Sequence, residues 1–293
     1  MGLFYVKINL NTKKRFIKFM KKMLVFDIDG TLVHHQKMSK EVVSTLLEAK
    51  KQGNIVTLAT GRGSRGILKV AKELELNDGK TPVIGLNGAD VFYFNPDWTI
   101  KQLWKKPIPK DKAIPLYEAA MRNHISFVAY TDDPDYTYVT RKFNYLSIFM
   151  HGRTRAKTIK VKKDCSNLTY QTMKVICHGT YKNYQKFEQE IKPLNLAIFG
   201  WSYVQKPKHN LEINMTGINK AVGIAHAAKL FNVEQTDVIY FGDGSNDIDA
   251  LEWAGTGVAM GQAPNEIKAH ANQVTQSVKE DGVAVWVKNN VLK

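Results

Sequence analysis

Two aspartates, Asp27 and Asp29, follow an apolar run in the stretch LVFDIDGTLV, residues 24–33. A short apolar run that ends at a glycine is typical of a buried strand leading into a turn. Carboxylates are costly to bury inside such a strand, so we expect both at its carboxyl end, where parallel sheets bind ligands. There they could hold a hard cation such as Mg²⁺, or act as a nucleophile beside an acid/base group. The alternative without chemistry is a strand that ends in an Asx-type turn.

A second acidic stretch, GDGSND at 242–247, follows another apolar run at 238–241. Asp243 comes directly after this predicted strand, and Asn246 and Asp247 precede a predicted helix. Their oxygens could add ligands at the same edge of the sheet. Ser245 and Asn246 could instead belong to a turn that caps the helix, but capping does not account for Asp243 as well.

Two weaker signals occur at other predicted element ends. Thr60-Gly61-Arg62 follows the apolar run 55–59, where a hydroxyl and a backbone N–H could bind a phosphoryl oxygen. Lys220 stands near the start of a predicted helix, whose first backbone N–H groups favour an anion. Taken alone, the first is a common turn and the second a solvated surface lysine.

Predicted strands and helices alternate around these residues. After the strand before Asp27, strands are expected at 55–59, 82–86, 238–241 and 257–260. Helices are expected at 39–53, 67–74, 218–230, 264–271 and 281–291. This alternation with short links predicts a parallel sheet of the α/β class.

Residues 91–212 differ in character, because they are richer in aromatic residues and lysine and alternate like strands. They predict a separate α+β insert, with helices at 110–123 and 181–191. The chain is thus expected to consist of a basic N-terminal extension (1–22), a core (23–90 and 213–293) and the insert (91–212).

The net charge of +15 is unevenly distributed, with +7 on residues 1–22 and +10 on the insert. Nucleic acid or an acidic surface could be the partner, but no nucleic-acid-binding motif occurs, and we favour an anionic small substrate. Cys165 and Cys177 form neither a disulfide framework nor a CxxC metal pair, which favours free thiols in the cytoplasm. No apolar run is long enough to span a bilayer. The extension lacks a secretory cleavage site, and translation could start at Met20 or Met23.

DIDGT, TGR, the lysine at a helix start and GDGSND occur in the order and context of the haloacid dehalogenase (HAD) superfamily, which the chain resembles over about residues 23–291. The insert lies between the second and third of these motifs, and so resembles the C2B cap of the Cof-type subfamily. Those bacterial enzymes hydrolyse sugar phosphates and related phosphomonoesters. The resemblance implies a Rossmann-like, doubly wound parallel sheet with an inserted α+β cap.

The resemblance also implies a role for each candidate residue. Asp27 would be the nucleophile that forms an aspartyl phosphate, and Asp29 the general acid and then the general base. Mg²⁺ would be bound by the Asp27 carboxylate, the Asp29 backbone carbonyl and the Asp243 carboxylate. Asp247 would support the metal or the lysine rather than bind the metal directly. The oxygens of the transferring phosphoryl group would be bound by Thr60, Lys220, Asn246 and the N–H groups of Ile28 and Gly61.

Three functions are compatible with this pattern. The first is a Mg²⁺-dependent phosphatase of small phosphomonoesters. The others are a phosphomutase, which returns the phosphoryl group to a sugar, and a module that binds nucleic acid through the basic insert. Candidate substrates are hexose phosphates, pyridoxal phosphate, flavin mononucleotide and nucleotides, and the oligomeric state is left open. Aromatic and basic residues of the insert could recognise the leaving group, among them Tyr136, Tyr138, Arg141 and Trp201.

Overall fold

The computed structural model describes residues 22–200 and 210–293. Residues 1–21 of the predicted extension, and Trp201 of the insert, lie outside the described residues. The strands are β1 (Met23–Phe26), β2 (Ile55–Leu58), β3 (Val83–Gly85), β4 (Asp90–Phe94), β5 (Ile100–Lys105), β6 (Ser126–Thr131), β7 (Tyr136–Val139), β8 (Lys157–Lys160), β9 (Thr172–His178), β10 (Leu196–Gly200), β11 (Asn210–Met215), β12 (Val238–Gly242), β13 (Thr256–Ala259) and β14 (Gln273–Val274). The α-helices are α1 (Lys40–Lys51), α2 (Ser64–Glu73), α3 (Lys110–Arg122), α4 (Tyr145–Thr154), α5 (Tyr181–Ile191), α6 (Lys220–Leu230), α7 (Ile248–Trp253), α8 (Asn265–Lys268) and α9 (Gly282–Asn290).

The core is a parallel sheet in the order β14-β13-β12-β1-β2. Successive residues of β1 point to opposite faces, and both faces are covered. Leu24 and Phe26 pack with side chains of α1, α2 and α9, whereas Met23 and Val25 pack with side chains of α6 and α7. The sheet is therefore doubly wound, and the predicted fold class is confirmed.

Strand β3 extends this sheet only through a parallel bridge between Ala59 and Ile84. It ends at Gly85, because Leu86 and Asn87 have φ of 51° and 56°, in the left-handed region. The predicted strand over 82–86 is therefore shorter than expected. Strand β4 pairs with β3, and β5 pairs with β4, in a small antiparallel sheet.

A second sheet, which we call the cap sheet, has the order β10-β11-β9-β6-β7-β8. Helices α3 and α5 pack on one face, as Leu116 and Phe187 contribute to a core with Phe127 and Val175. Helix α4 packs on the other face through Leu146 and Met150 and was not predicted. Strand β11 continues to Met215, five residues before Lys220.

Two other sequence-based expectations concern cysteines and membranes. Cys165 and Cys177 are buried free thiols. Over 22–200 and 210–293, none of the helices combines the length and apolar character that crossing a membrane requires.

Candidate active site

The two acidic stretches meet at the carboxyl edge of the core sheet. Asp27 is the first residue after β1, and its backbone N–H donates to the Phe241 carbonyl at 2.9 Å. Gly30 has φ of +86°, and a Cβ there would lie 2.1 Å from Asp243 Oδ2, so only glycine fits this turn. The Thr31 hydroxyl donates to Asp243 Oδ1 at 3.1 Å. The turn after β1 thus lies directly against the loop after β12.

The ammonium group of Lys220 lies between the carboxylates of Asp27 and Asp247. Its side chain has no exposed surface, and Nζ lies 2.6 Å from Asp27 Oδ1 and 2.5 Å from Asp247 Oδ1. Asn219 caps α6 by accepting from the Val222 N–H at 3.0 Å, which fixes Lys220 as the first residue of the helix. The helix start therefore aims the ammonium group at Asp27.

Asp247 has both carboxylate oxygens engaged within the protein. Oδ1 accepts from the Tyr240 hydroxyl at 2.5 Å in addition to Lys220. Oδ2 accepts from the backbone N–H groups of Asp243 at 2.9 Å and Gly244 at 2.8 Å. Asp247 therefore holds the lysine and the loop that carries Asp243.

Burial and crowding of like charges shape the electrostatics of the site. Burial, and secondarily the neighbouring carboxylates, raise the pKa of Asp27 to about 8 against the opposing effect of Lys220. Burial and the Asp247 carboxylate raise the pKa of Asp243 to about 7. Burial lowers the pKa of Lys220, but Asp247 and Asp27 together outweigh it and leave that pKa raised. Three carboxyl groups therefore crowd around one buried lysine, and a bound cation would favour their ionised forms.

This donor set fits a hard divalent cation. Asp27, Asp243 and Asp247 each offer a carboxylate oxygen, and these atoms all lie within 4.8 Å of one another. Since Asp247 already accepts four hydrogen bonds, Asp27 and Asp243 are the carboxylates available to a metal. Closely spaced carboxylate oxygens of this kind are the ligands that Mg²⁺ prefers.

Asp29 faces the same cavity but is held by arginine. Arg62 Nε donates to Asp29 Oδ2 at 2.7 Å, and a second Arg62 nitrogen donates to Oδ1. Arg153 of α4 lies 3.8 Å from Asp29 Oδ2. Arg62 also donates to the Gly66 carbonyl at 3.0 Å, which anchors it to the start of α2. The carboxylate thus has a defined position at the mouth of the site.

The phosphate-binding candidates occupy different positions around this cavity. Asp27, Asp29, Thr60, Gly61 and Asn246 line it directly. The Ile28 side chain is buried in the core, so only its backbone N–H, the group that the family resemblance assigns to phosphate, remains a candidate. Lys220 and Asp243 lie beside the cavity, because both are close to the carboxylate of Asp27.

The cap side of the cavity was largely missed by the sequence analysis. On the cap side, the cavity is lined by Tyr130, Met150, Arg153, Lys174, Ile176 and Glu212. Lys174 and Glu212 were visible as single charges within apolar strands, in TMKVICH and LEI, whereas nothing local marks Arg153. None of the three candidates Tyr136, Tyr138 and Arg141 lines this cavity.

Those three residues have other surroundings. Tyr138 is fully buried in the cap core, and its hydroxyl accepts from the Tyr170 N–H at 2.6 Å. Tyr136 lines a neighbouring pocket, and Arg141 lines a separate groove on the cap together with Lys162.

A family model described as haloacid dehalogenase-like hydrolase matches residues 24–287. The chain belongs to this family. The family resemblance inferred from the four motifs is thereby confirmed.

Two related proteins that are named as phosphatases are consistent with this assignment. The chain is 27% identical over 267 residues to the 5-amino-6-(5-phospho-D-ribitylamino)uracil phosphatase YitU of Bacillus subtilis, covering 91% of this chain and 96% of the relative. It is 24% identical over 279 residues to the pyridoxal phosphate phosphatase YbhA of Escherichia coli, covering 92% and 99%. The family and these relatives identify this protein as a phosphatase.

Solved structures show the same architecture. A haloacid dehalogenase-like hydrolase from Bacteroides thetaiotaomicron has a TM-score of 0.79 at 26% identity, covering 92% of this chain and 99% of that one. The HAD subclass IIB sugar phosphatase BT4131 has a TM-score of 0.75 at 24% identity, covering 92% and 98%, and supports the fold.

Proposed function

We propose that this protein is a Mg²⁺-dependent phosphatase that hydrolyses small phosphomonoesters through an aspartyl-phosphate intermediate. The observation that carries the proposal is the contact between Lys220 and Asp27 at the sheet edge, where Asp27 also lines an open cavity. The lysine keeps one oxygen of Asp27 in place and favours its ionised form, while the cavity admits a phosphate ester.

In the first step, an Asp27 oxygen attacks phosphorus as the bond from phosphorus to the leaving oxygen breaks. For this step Asp29 takes up a proton on one oxygen, which then no longer accepts from Arg62, and gives that proton to the leaving oxygen, so the alcohol leaves neutral. Thr60, Lys220, Asn246 and the N–H groups of Ile28 and Gly61 are the proposed partners of the transferring phosphoryl oxygens.

In the second step, water attacks the phosphorus of the aspartyl phosphate and the bond to Asp27 breaks. Asp29 accepts the proton of that water as the general base, which restores its first protonation state. The products are inorganic phosphate and the free enzyme.

The metal would be held by the carboxylates of Asp27 and Asp243 and the backbone carbonyl of Asp29. When bound, Mg²⁺ would reduce the repulsion between an anionic nucleophile and an anionic phosphate. Asp247 would act through Lys220 and the Asp243 loop, since both of its oxygens are engaged.

The cavity suggests a polar leaving group of modest size. Arg62, Arg153 and Lys174 bring three cationic groups to it, beside the apolar surface of Met150 and Ile176. Sugar phosphates, pyridoxal phosphate and phosphorylated ribitylaminouracil combine hydroxyl, ring and phosphate groups that suit such a lining. Two free thiols are compatible with activity in the cytoplasm, which we propose as the location.

The test is a panel of these phosphomonoesters, with the purified full-length protein and Mg²⁺, scored by phosphate release and by the dephosphorylated product. Asp27→Asn keeps the side-chain shape but removes the nucleophile, so we expect turnover to fall about a thousandfold or more. Turnover within about tenfold of the wild type, ~1.4 kcal/mol of barrier, would show that Asp27 is not the nucleophile. A phosphomutase would instead move phosphate between sugar positions without releasing it.

A further inference from the structure

A buried chain of polar side chains connects the cap sheet to the core. Lys174 of β9 is 1% exposed, and its Nζ lies 2.9 Å from Glu212 Oε2 on the adjacent strand β11. Glu212 Oε2 also accepts from Asn87 Nδ2 at 2.7 Å. Asn87 Oδ1 in turn accepts from Asn246 Nδ2 at 3.1 Å. Four side chains from four separate parts of the chain thus form one continuous hydrogen-bonded path.

Both ends of this path reach residues proposed to bind phosphate. Lys174 Nζ donates to the Gly61 carbonyl at 2.6 Å, and the other end is Asn246 itself. The middle member, Asn87, also donates its backbone N–H to the Thr60 carbonyl at 2.9 Å. A Cβ on Gly61 would lie 2.8 Å from Asn87 Oδ1 and 3.3 Å from Lys174 Nζ, so the path packs closely around this glycine.

The direction of the hydrogen bonds follows from chemistry. An ionised Glu212 can only accept, so Asn87 must turn its amide nitrogen towards Glu212 and its oxygen towards Asn246. That oxygen requires a donor, which fixes the amide nitrogen of Asn246 on the side of Asn87. The second N–H of this nitrogen is then left to donate to a phosphoryl oxygen.

Stability alone does not account for a buried ion pair of this kind. Desolvation of two buried charges offsets much of their attraction, and apolar replacements are often no less stable. A role in fixing one arrangement of the neighbouring groups explains such a buried ion pair better than stability does.

We infer that Lys174, Glu212 and Asn87 are positioning residues, which orient the Gly61 backbone and the Asn246 amide for phosphate when the cap sheet is docked on the core. This inference rests on the proposed function of the site. The cap then contributes to the phosphoryl-transfer step, which is common to all substrates, in addition to any contact with the leaving group.

The first test uses Glu212→Gln, which keeps size but removes the obligate acceptor, so that the Asn87 amide can reverse. We expect kcat/KM to fall about tenfold to a hundredfold, by the same factor for every substrate of the panel. The matched control is Glu190→Gln, because Glu190 also pairs with a basic residue and an asparagine of the cap, Arg122 and Asn123, but lies outside the cavity. A loss that re-ranks the substrates would instead make Glu212 a leaving-group contact, and a change of less than about threefold would remove it from the mechanism.

A second test uses a substitution at Asn87 and does not depend on the folding of Glu212→Gln. Asn87→Gly suits the left-handed backbone at that position, with φ of 56°, and deletes only the bridging amide. If Asn87 acts through Asn246, the double variant Asn87→Gly/Asn246→Ala will be no slower than Asn246→Ala alone. Losses that multiply would show that Asn87 does not act through Asn246 and would overturn that part of the inference.

Binding of inorganic phosphate in the presence of Mg²⁺, measured by calorimetry, separates this inference from the proposed function. If the wild type hydrolyses no phosphomonoester yet binds phosphate, and Asn87→Gly weakens that binding about tenfold, the positioning role stands and the hydrolytic function fails. Unchanged phosphate affinity in Asn87→Gly would contradict the positioning role whether or not hydrolysis is observed.

Discussion

Arg62 holds the Asp29 carboxylate through two nitrogens of its guanidinium group, one of them 2.7 Å from Oδ2. Such a two-point contact fixes the plane of the carboxylate as well as its position. The group proposed to transfer protons in both half-reactions is therefore oriented by the arginine of the TGR motif, a residue to which the sequence analysis gave no role.

Arg62→Gln should slow hydrolysis of sugar phosphates about tenfold to a hundredfold, because proton transfer needs a positioned carboxyl group. The loss should be smaller with p-nitrophenyl phosphate, whose leaving group needs little protonation. Steady-state kinetics on both substrates measure this difference. Arg122→Gln is the matched control, since Arg122 binds Glu190 through two nitrogens at the surface of the cap. Equal losses of kcat/KM, which reports the first step alone, would mean that Arg62 acts on the phosphate instead.

Asp243→Asn should raise the Mg²⁺ concentration for half-maximal activity about tenfold or more, because it removes one anionic ligand. Asp237→Asn is the control, since Asp237 precedes the same strand at its opposite end and pairs with Lys22. Activity is titrated against Mg²⁺ after treatment with a chelator. Full activity after exhaustive chelation would rule out the metal requirement.

Asp90→Asn should stabilise the protein at pH 8. Burial raises the pKa of Asp90 to about 6, against weaker opposing effects of Gln102 and Lys105. The folded state therefore binds more protons than the unfolded state, and its stability falls as pH rises from about 4 through 6. Because the side chain is partly exposed, we expect a gain of about 1–2 kcal/mol at pH 8 that shrinks towards pH 4. Urea unfolding at several pH values measures it.

Asp78→Asn should change the stability at pH 8 in the opposite direction. Burial raises the pKa of Asp78, but hydrogen bonds from Thr81 and Lys80 outweigh it and lower that pKa below the ordinary value. Its contribution to stability is present above the unfolded pKa and is lost as pH falls through the folded one. The substitution should therefore destabilise the protein at pH 8. Two substitutions with the same sign and the same pH profile would contradict both assignments.

Removal of residues 1–21 should leave kcat and KM unchanged within about twofold, since no proposed site residue lies there. Lys22 is retained because its Nζ lies 2.7 Å from Asp237 Oδ1 and its backbone N–H donates to Asn54 Oδ1 at 3.2 Å. The truncated and full-length proteins are compared on the same substrate panel. A large loss of kcat in a well-folded truncation would place part of the site in the extension.

The core half of the site could be predicted because its signals are local. Asp27 and Asp243 each follow an apolar strand directly, and the carboxyl ends of neighbouring parallel strands meet at one edge of a sheet. Thr60 and Lys220 were found for the same reason, since each stands at an element end.

The cap half could not be predicted, because it depends on how two sheets pack. A single lysine in β9 could face solvent or the core, and only the contact of Lys174 with Gly61, 113 residues away, decides between them. Helix α4 could not be predicted from hydrophobic periodicity, because it is apolar on more than one side. Met150 is buried and Ile148 is 61% exposed, so no single apolar stripe is visible.

The burial of the Asp27 carboxyl, which Lys220 only partly offsets, makes thermal stability and turnover compete at this position. Because burial raises the pKa of Asp27 to about 8, the folded state binds its proton more tightly than the unfolded state does, and this carboxyl lowers the free energy of unfolding increasingly as pH rises from about 4 to 8. Neutral substitutions that relieve such charges are a common route to more durable proteins. In a library screened for survival of heating alone, we therefore expect inactive variants with an uncharged residue in place of Asp27 to accumulate, so a thermostable form of the enzyme must be selected on catalysis at every round.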